Sequence, residues 1–315
     1  MAAAGFDGFF LHAREGLRTP YLSEAWFDAI ETCLTFAEQH NLKAWLYDEM
    51  PYPSGAAGGE VVRRHPEFIE QSLHIVSRRV RGPVDLDWEI GDGEVLAAYA
   101  KANNNPPKKV VDLLPHIGPV ADTWLKVPWD SRWYYPKGLA EIFSCPRTTC
   151  VLPRNVLSVK LGPGNWELVA LRIMRGGDHV EPFGQYVDVS NSDATAEFLR
   201  ITHEQYRARF GKKFGTLIPG IFFDEPKFRS AQPWGRGVAA LLGKITPQMA
   251  FALAGENTAA SSNERRRYRR AIDTAFKKNW LRPIKNGAQK TGSDSPATSA
   301  PKKIGGLSHA RRAAF

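Results

Sequence analysis

Two aromatic runs in this chain each end in adjacent carboxylates. One is Trp45-Leu46-Tyr47-Asp48-Glu49, which continues into Met50-Pro51-Tyr52-Pro53-Ser54-Gly55-Ala56-Ala57-Gly58-Gly59. The other is Ile221-Phe222-Phe223-Asp224-Glu225-Pro226, and a third aromatic run ends in His12-Ala13-Arg14. Carboxylates on different strands facing one pocket fit glycoside hydrolysis, in which one acid protonates the leaving oxygen and the other acts as base or nucleophile. A proton donor working near neutral pH needs a raised pKa, and apolar neighbours such as Phe222 and Phe223 supply one by disfavouring the charged form. Tyr47, Tyr52 and Trp234 offer ring faces for sugars. Neighbouring strand residues point to opposite faces, so each Asp-Glu pair commits one member inward unless a bulge intervenes. The same acids could instead cap loops, pair with His12 and Arg14, or hold a structural cation. His12 and Arg14 therefore stand as substrate-contact candidates only.

The elements that would position these groups follow a strand–helix–strand rhythm. Residues 5–11 read as a buried strand. Trp26, Phe27, Ile30, Leu34 and Ala37 then recur at helical spacing behind Ser23, a plausible N-cap, and Asn41 ends that helix. Residues 43–47 read as the next strand, parallel to the first because a helical crossover joins them. From 72 to 188 the pattern changes to short alternating runs, 156–161 and 166–173 among them, broken by Pro163-Gly164-Asn165 and Gly176-Gly177. A helix after Asp193 carries Phe198, Thr202, Tyr206 and Phe210 every four residues. Residues 216–223 read as a third parallel strand, and 264–281 as a helix ended by Pro283. The division is thus 1–71 and 189–285 as βα units, 72–188 as a β-rich insertion, and 286–315 as a disordered basic tail.

An apolar share of 43% in 315 residues, with 9 Trp and 17 Phe, is enough for a sizeable core and excludes a disordered chain. No stretch approaches the roughly 20 apolar residues of a membrane span. Residues 1–5 show no secretory signal, which gives a cytoplasmic reading. The formal charge of +9 is unevenly placed. Residues 241–315 hold 15 Lys and Arg against 4 Asp and Glu, so the other 240 hold 27 against 29. The body therefore gives no electrostatic case for nucleic acid, and a nucleic-acid arm around Arg265-Arg266-Arg267-Tyr268-Arg269-Arg270 is the minor alternative. Cys33 reads as a buried inert thiol, and Cys145 and Cys150 as reduced. No His and Cys spacing suits zinc.

Residues 9–23, Phe9-Phe10-Leu11-His12-Ala13-Arg14-Glu15-Gly16-Leu17-Arg18-Thr19-Pro20-Tyr21-Leu22-Ser23, resemble a stretch of the large alpha-L-rhamnosidase-type glycoside hydrolases. So do Trp45-Leu46-Tyr47-Asp48-Glu49 with its Pro-Ser-Gly and Ala-Gly-Gly continuation, Tyr186-Val187-Asp188, Thr202-His203-Glu204, and Ile218-Pro219-Gly220-Ile221-Phe222-Phe223-Asp224-Glu225-Pro226. The resemblance covers residues 5–235 in the family's order and spacing. It implies an α/β fold with a (β/α)8 barrel that cleaves O-glycosidic bonds by inversion, with a carbohydrate as partner and no membrane. It implies Glu49 and Glu225 as the acid and base in unassigned order, and Asp48 and Asp224 as supporting, substrate-binding or cation-binding groups. Some relatives bind calcium near the site; no other cofactor is implied.

The chain departs from that pattern. Family members are longer, with barrel elements before residue 5 and after residue 287, where this sequence turns to Thr291-Gly292-Ser293 and a basic tail. About three or four of the eight strands can be counted, too few to close a barrel. The resulting expectation is an incomplete (β/α)8 barrel with a β-rich insertion, a fragment of a larger enzyme. The alternative is an inactive carbohydrate-binding remnant.

Overall fold

The computed structural model describes residues 2–14, 16–50, 52–103, 109–126, 149–176 and 186–290. Its strands form two sheets. The smaller is parallel, in the order β1 (Gly8–Leu11), β2 (Lys43–Tyr47), β8 (Ile221–Phe222). The larger is antiparallel and curled. It runs β5 (Val110–Asp112), β4 (Glu94–Ala102), β7 (Thr149–Arg175), β3 (Gln71–Asp92), β9 (Pro233–Trp234), with β6 (Ile117–Lys126) also paired to β7.

This arrangement corrects the expected incomplete (β/α)8 barrel. A parallel barrel needs a helix after every strand, whereas β3 and β7 pair antiparallel along nearly their whole lengths. Among the described residues most of the strand content thus lies in the large sheet, and three short strands form the parallel one. The curl of the large sheet coincides with register shifts at Gly82/Val84 and Glu89/Gly91 in the β3–β7 pairing and at Val95/Ala97 against β4, since bulges bend a strand and tighten its twist.

The parallel sheet forms where periodicity placed it. Helix α1 (Glu24–Gln39) is capped by Ser23, whose Oγ accepts from the Trp26 N–H, and it buries Trp26, Phe27, Ile30, Leu34 and Ala37. These pack with Ala44, Leu46, Tyr206, Phe210 and Leu217 as one core. The third parallel strand is shorter than expected, because Pro219 removes a donor just ahead of it. The single helix expected after Asp193 is two, α3 (Ser192–Ile201) and α4 (His203–Phe210). Thr202 breaks it, with ψ −81° and its hydroxyl turned back to the Phe198 carbonyl.

The large sheet has an apolar layer on each face. Val169, Leu171 and Ile173 pack with Tyr99 against α5 (Arg236–Leu242), α6 (Pro247–Leu253) and α7 (Ala259–Phe276). Leu157, Val159, Leu161, Leu168 and Ala170 line the other face with Leu86 and Ile90. After α7 a π turn, Lys277–Leu281, leads without a break into α8 (Arg282–Lys290), so Pro283 lies within a continuous helical run instead of ending it. The π turn, with the Arg282 N–H donating to the Lys277 carbonyl, is the local widening by which the helix accommodates a proline that cannot donate. Residues 291–315 and Cys145 lie outside the described residues. No helix among the described residues is long and apolar enough to cross a membrane. Cys33 is half-buried and free, and burial raises its pKa.

Gly237, in the first turn of α5, packs tightly against the Ser190 backbone and Asn279. A Cβ there would lie 2.1 Å from the Ser190 carbonyl oxygen and 2.5 Å from Asn279 Nδ2. Alanine is the better helix former by about 1 kcal/mol, but backbone cannot yield 1 Å locally. We expect Gly237→Ala to destabilise by about 2–3 kcal/mol, read as a lower urea midpoint at unchanged m-value. A midpoint at or above wild type would refute the contact.

Candidate active site

The ends of the parallel strands bring several chemistry-bearing groups together. Phe10 and Trp45 are register partners on one face of the sheet and stack at 5.7 Å. One step further, His12 lies flat on Tyr47, with ring centroids 3.9 Å apart and planes 7° from parallel. Phe222, the register partner of Tyr47, completes the row at 5.9 Å from Tyr47 and 5.8 Å from His12. The opposite face of these strands is covered by α1 and α4 through Leu11, Leu46 and Ile221. The aromatic face is open at Phe10, 41% exposed, and Phe222, 39% exposed, while Tyr47 between them is covered by His12 and fully buried.

Asp224 sits at the end of this row. The Tyr47 hydroxyl donates to its Oδ2 at 3.5 Å, and its backbone N–H donates to Ser54 Oγ at 2.9 Å. Burial raises its pKa and the charge of Glu225 adds to that, while His12, Arg14 and the Tyr47 hydroxyl pull the other way. Asp224 is thus a partly exposed acid with a raised pKa beside an aromatic surface. Glu225 follows at φ +44°, a left-handed conformation that costs a non-glycine residue about 1 kcal/mol or more. Its side chain is exposed and pairs with Lys227 at 3.1 Å. Arg14 lies over the exposed ring of Tyr52, 5.9 Å from its centroid.

The other acidic pair is wholly buried. Asp48 accepts from Ser54 Oγ at 2.6 Å and from His203 Nε2 on α4 at 2.8 Å. Glu49 Oε1 accepts from the N–H groups of Met50 and Gly58, and Oε2 from those of Gly55, Ala56 and Ala57. The loop from Met50 to Gly59 is therefore wrapped around one carboxylate. Gly55 lets it close, since at φ +137° an added Cβ would come within 2.9 Å of Val187 and 3.0 Å of Trp280. Burial pushes the Glu49 carboxyl up to about 8, while the Met50, Gly58 and Ala57 amides pull it down. A value near 8 favours the neutral acid at pH 7, but a proton on either oxygen would confront an N–H donor, and the five-donor geometry argues for the ionised form.

Of the residues singled out by sequence, His12, Tyr47, Phe222 and Asp224 converge, with Arg14, Tyr52 and Glu225 at the exposed margin. Glu49 and Glu225 do not share an environment: one is enclosed by amides and the other faces solvent beside Lys227. Trp234 is buried under α5 to α7 at 3% exposure, and Tyr47 is wholly buried beneath His12, so neither offers a free face to a sugar; the exposed rings here are Phe10, Phe222 and Tyr52. Ser54 and His203 were not picked out as site residues, although both lie in motifs quoted above. Calcium does not fit Asp48 and Glu49, whose oxygens already accept from seven donors between them. A hard cation needs oxygen ligands in that space, about six to eight of them. The described residues contain no cluster of three or more His, Cys, Asp or Glu suited to a metal. In the basic run, Arg265 donates to the Ala252 and Glu256 carbonyls and Arg267 to that of Leu242, so both tie α7 to its neighbours.

Burial and Arg14 lower the pKa of His12, burial being the larger cause. A base whose folded pKa lies below its unfolded value of about 6.5 contributes stability above that value and loses it as pH falls toward the folded one. We expect the melting temperature to fall between pH 7 and pH 5 more in the wild type than in His12→Gln. Parallel pH profiles would refute the stacked, neutral imidazole.

No family model matches the chain, and no curated protein matches it. Among solved structures the chain is similar to a rhamnosidase from Novosphingobium sp. PP1Y, at 10% sequence identity and a TM-score of 0.43. The likeness covers 91% of this chain and 42% of that one, so the chain spans less than half the length of that protein.

Proposed function

We propose that this chain is a glycoside hydrolase-like protein whose sugar site is the open aromatic face at the ends of the parallel strands. The observation that carries this reading is the row His12–Tyr47–Phe222 ending in Asp224, an acid of raised pKa, with the ionisable Glu225 beside it. Aromatic faces suit the apolar C–H surface of a pyranose, and Phe10 and Phe222 would favour a ring carrying a methyl in place of a hydroxymethyl group. That preference accords with the rhamnoside-type substrate that the motif resemblance suggests.

In this reading Asp224 gives its proton to the glycosidic oxygen as the C1–O bond breaks. Glu225 takes a proton from the water that forms the new C1–O bond. Glu49 shapes the adjoining loop and touches neither atom. The sugar face would be held by stacking, and Arg14 and Tyr52 would contact its hydroxyl groups at the margin.

A second reading, carbohydrate binding without turnover, is favoured by the enclosure of Glu49, which leaves neighbouring residues of one chain segment as the accessible acids. Incubation of the purified chain with aryl glycosides, alongside calorimetry with the free sugars, separates the two. Turnover supports hydrolysis, binding alone supports the second reading, and absence of both removes the sugar site.

A further inference from the structure

We propose that the face of the antiparallel sheet carrying Val159, Leu161 and Trp166 holds a second small-molecule site, for an amphipathic monoanion of one or two rings bearing a carboxylate. A cavity of about 740 Å³ opens there between β3, β4, β5 and β7, within the roughly 300–1,000 Å³ range of small-molecule sites. Val111, Val159, Leu161 and Trp166 give it an apolar side, and Asp85, Lys109, His116, Ser158 and Lys160 a polar one.

The polar groups around it leave one kind of unmet capacity. Trp166 Nε1 donates to the Gly162 carbonyl at 2.9 Å, so its ring presents only an apolar surface. Ser158 Oγ donates to Asp87 at 2.6 Å, and Lys160 pairs with Asp85 at 3.1 Å. Lys109 and His116 also line the cavity and are exposed, and neither has a carboxylate partner among the described residues. A ligand entering this space therefore meets hydrocarbon on one side, polar groups already paired (Ser158, Lys160, Asp85), and the uncompensated N–H donors of Lys109 and His116 at the rim. A neutral polar molecule would lose hydration along the wall without a compensating partner, whereas an apolar body with one anionic group satisfies both parts. The site is in the other sheet from Asp224 and stands or falls independently of the sugar reading.

The test is calorimetric titration of the full chain with 2-naphthoate and with its neutral analogue 2-naphthamide at low salt. Naphthoate should bind at least tenfold more tightly than naphthamide. Lys109→Glu, on an exposed side chain, should weaken naphthoate at least tenfold and leave naphthamide within twofold. Val111→Trp, which fills the cavity, should abolish both, and Phe222→Ala on the parallel sheet should change neither. Undetectable naphthoate binding, equal affinity for the two probes, indifference to Lys109→Glu, or loss in Phe222→Ala would each overturn the proposal. Should Val111→Trp fail to fold, the Lys109→Glu and Phe222→Ala results decide it.

Discussion

Glu49→Gln lowers the melting temperature by roughly 10–20 °C, whereas Glu225→Gln leaves it unchanged within about 2 °C. The contrast follows from what the two carboxylates touch. Glu49 accepts five backbone N–H bonds, two on one oxygen and three on the other. Glutamine keeps only one acceptor oxygen. Whichever way its amide turns, an NH2 group faces two or three N–H donors that burial has cut off from water. Each stranded donor costs about 1–3 kcal/mol, and bonds that had gone to a charge are at the upper end. Relief of the desolvation cost of the anion offsets part of this. A net loss of about 4–6 kcal/mol is a large share of the 5–15 kcal/mol that holds a typical domain together. Glu225, exposed and paired only with Lys227, has no such role. Thermal unfolding followed by far-UV circular dichroism reads both variants. Equal melting temperatures for Glu49→Gln and wild type would show that the loop does not depend on the anion, and would return Glu49 to the list of reacting groups.

The same residues show what was legible in the sequence. Helix α1 with its Ser23 cap and strand β2 at 43–47 follow from local signals, apolar spacing and capping chemistry, and these act over a few residues. The convergence of His12, Tyr47 and Asp224 was also accessible, because three parallel strands ending in polar residues must bring those ends together. The barrel was not. The βα rhythm was extended beyond the three strands that carry it, while the alternating stretches around 72–102 and 149–175 became the dominant sheet. Nothing local tells a strand of 156–161 that it belongs to a single β7 reaching Arg175 and paired on both edges.

The enclosure of Glu49 by backbone N–H groups was not legible for a different reason. A carboxylate followed by Pro-Ser-Gly-Ala-Ala-Gly-Gly has no strand to feed, and a chain that flexible can fold back its N–H groups onto the acid before it. That signal is present at 49–59, in the same stretch whose Glu49 the resemblance implies as an acid or base. Asp48 finds His203 across 155 positions, and no spacing rule announces such a pair.

Asp224→Asn should lower kcat/KM on a 4-nitrophenyl glycoside by about 10²–10⁴-fold, the span that general acid catalysis contributes. The variant keeps the fold, since the bonds that tie this position to Ser54 come from the Asp224 backbone. A merely structural role would depress all substrates alike, so the leaving group supplies the decisive comparison. A 2,4-dinitrophenyl glycoside departs without protonation, and on it Asp224→Asn should lose less than tenfold. Glu225→Gln, by contrast, should slow both substrates to a similar extent, because water activation is needed whatever leaves. The pH profile gives an independent reading. Burial and the Glu225 charge hold Asp224 protonated to higher pH than an ordinary aspartic acid, so activity of the wild type falls as pH rises through the raised pKa. That alkaline limb should vanish in Asp224→Asn. Equal losses on the two aryl glycosides, with the alkaline limb intact, would take the proton-donor role away from Asp224 and leave the aromatic row as a surface that binds sugar without cleaving it.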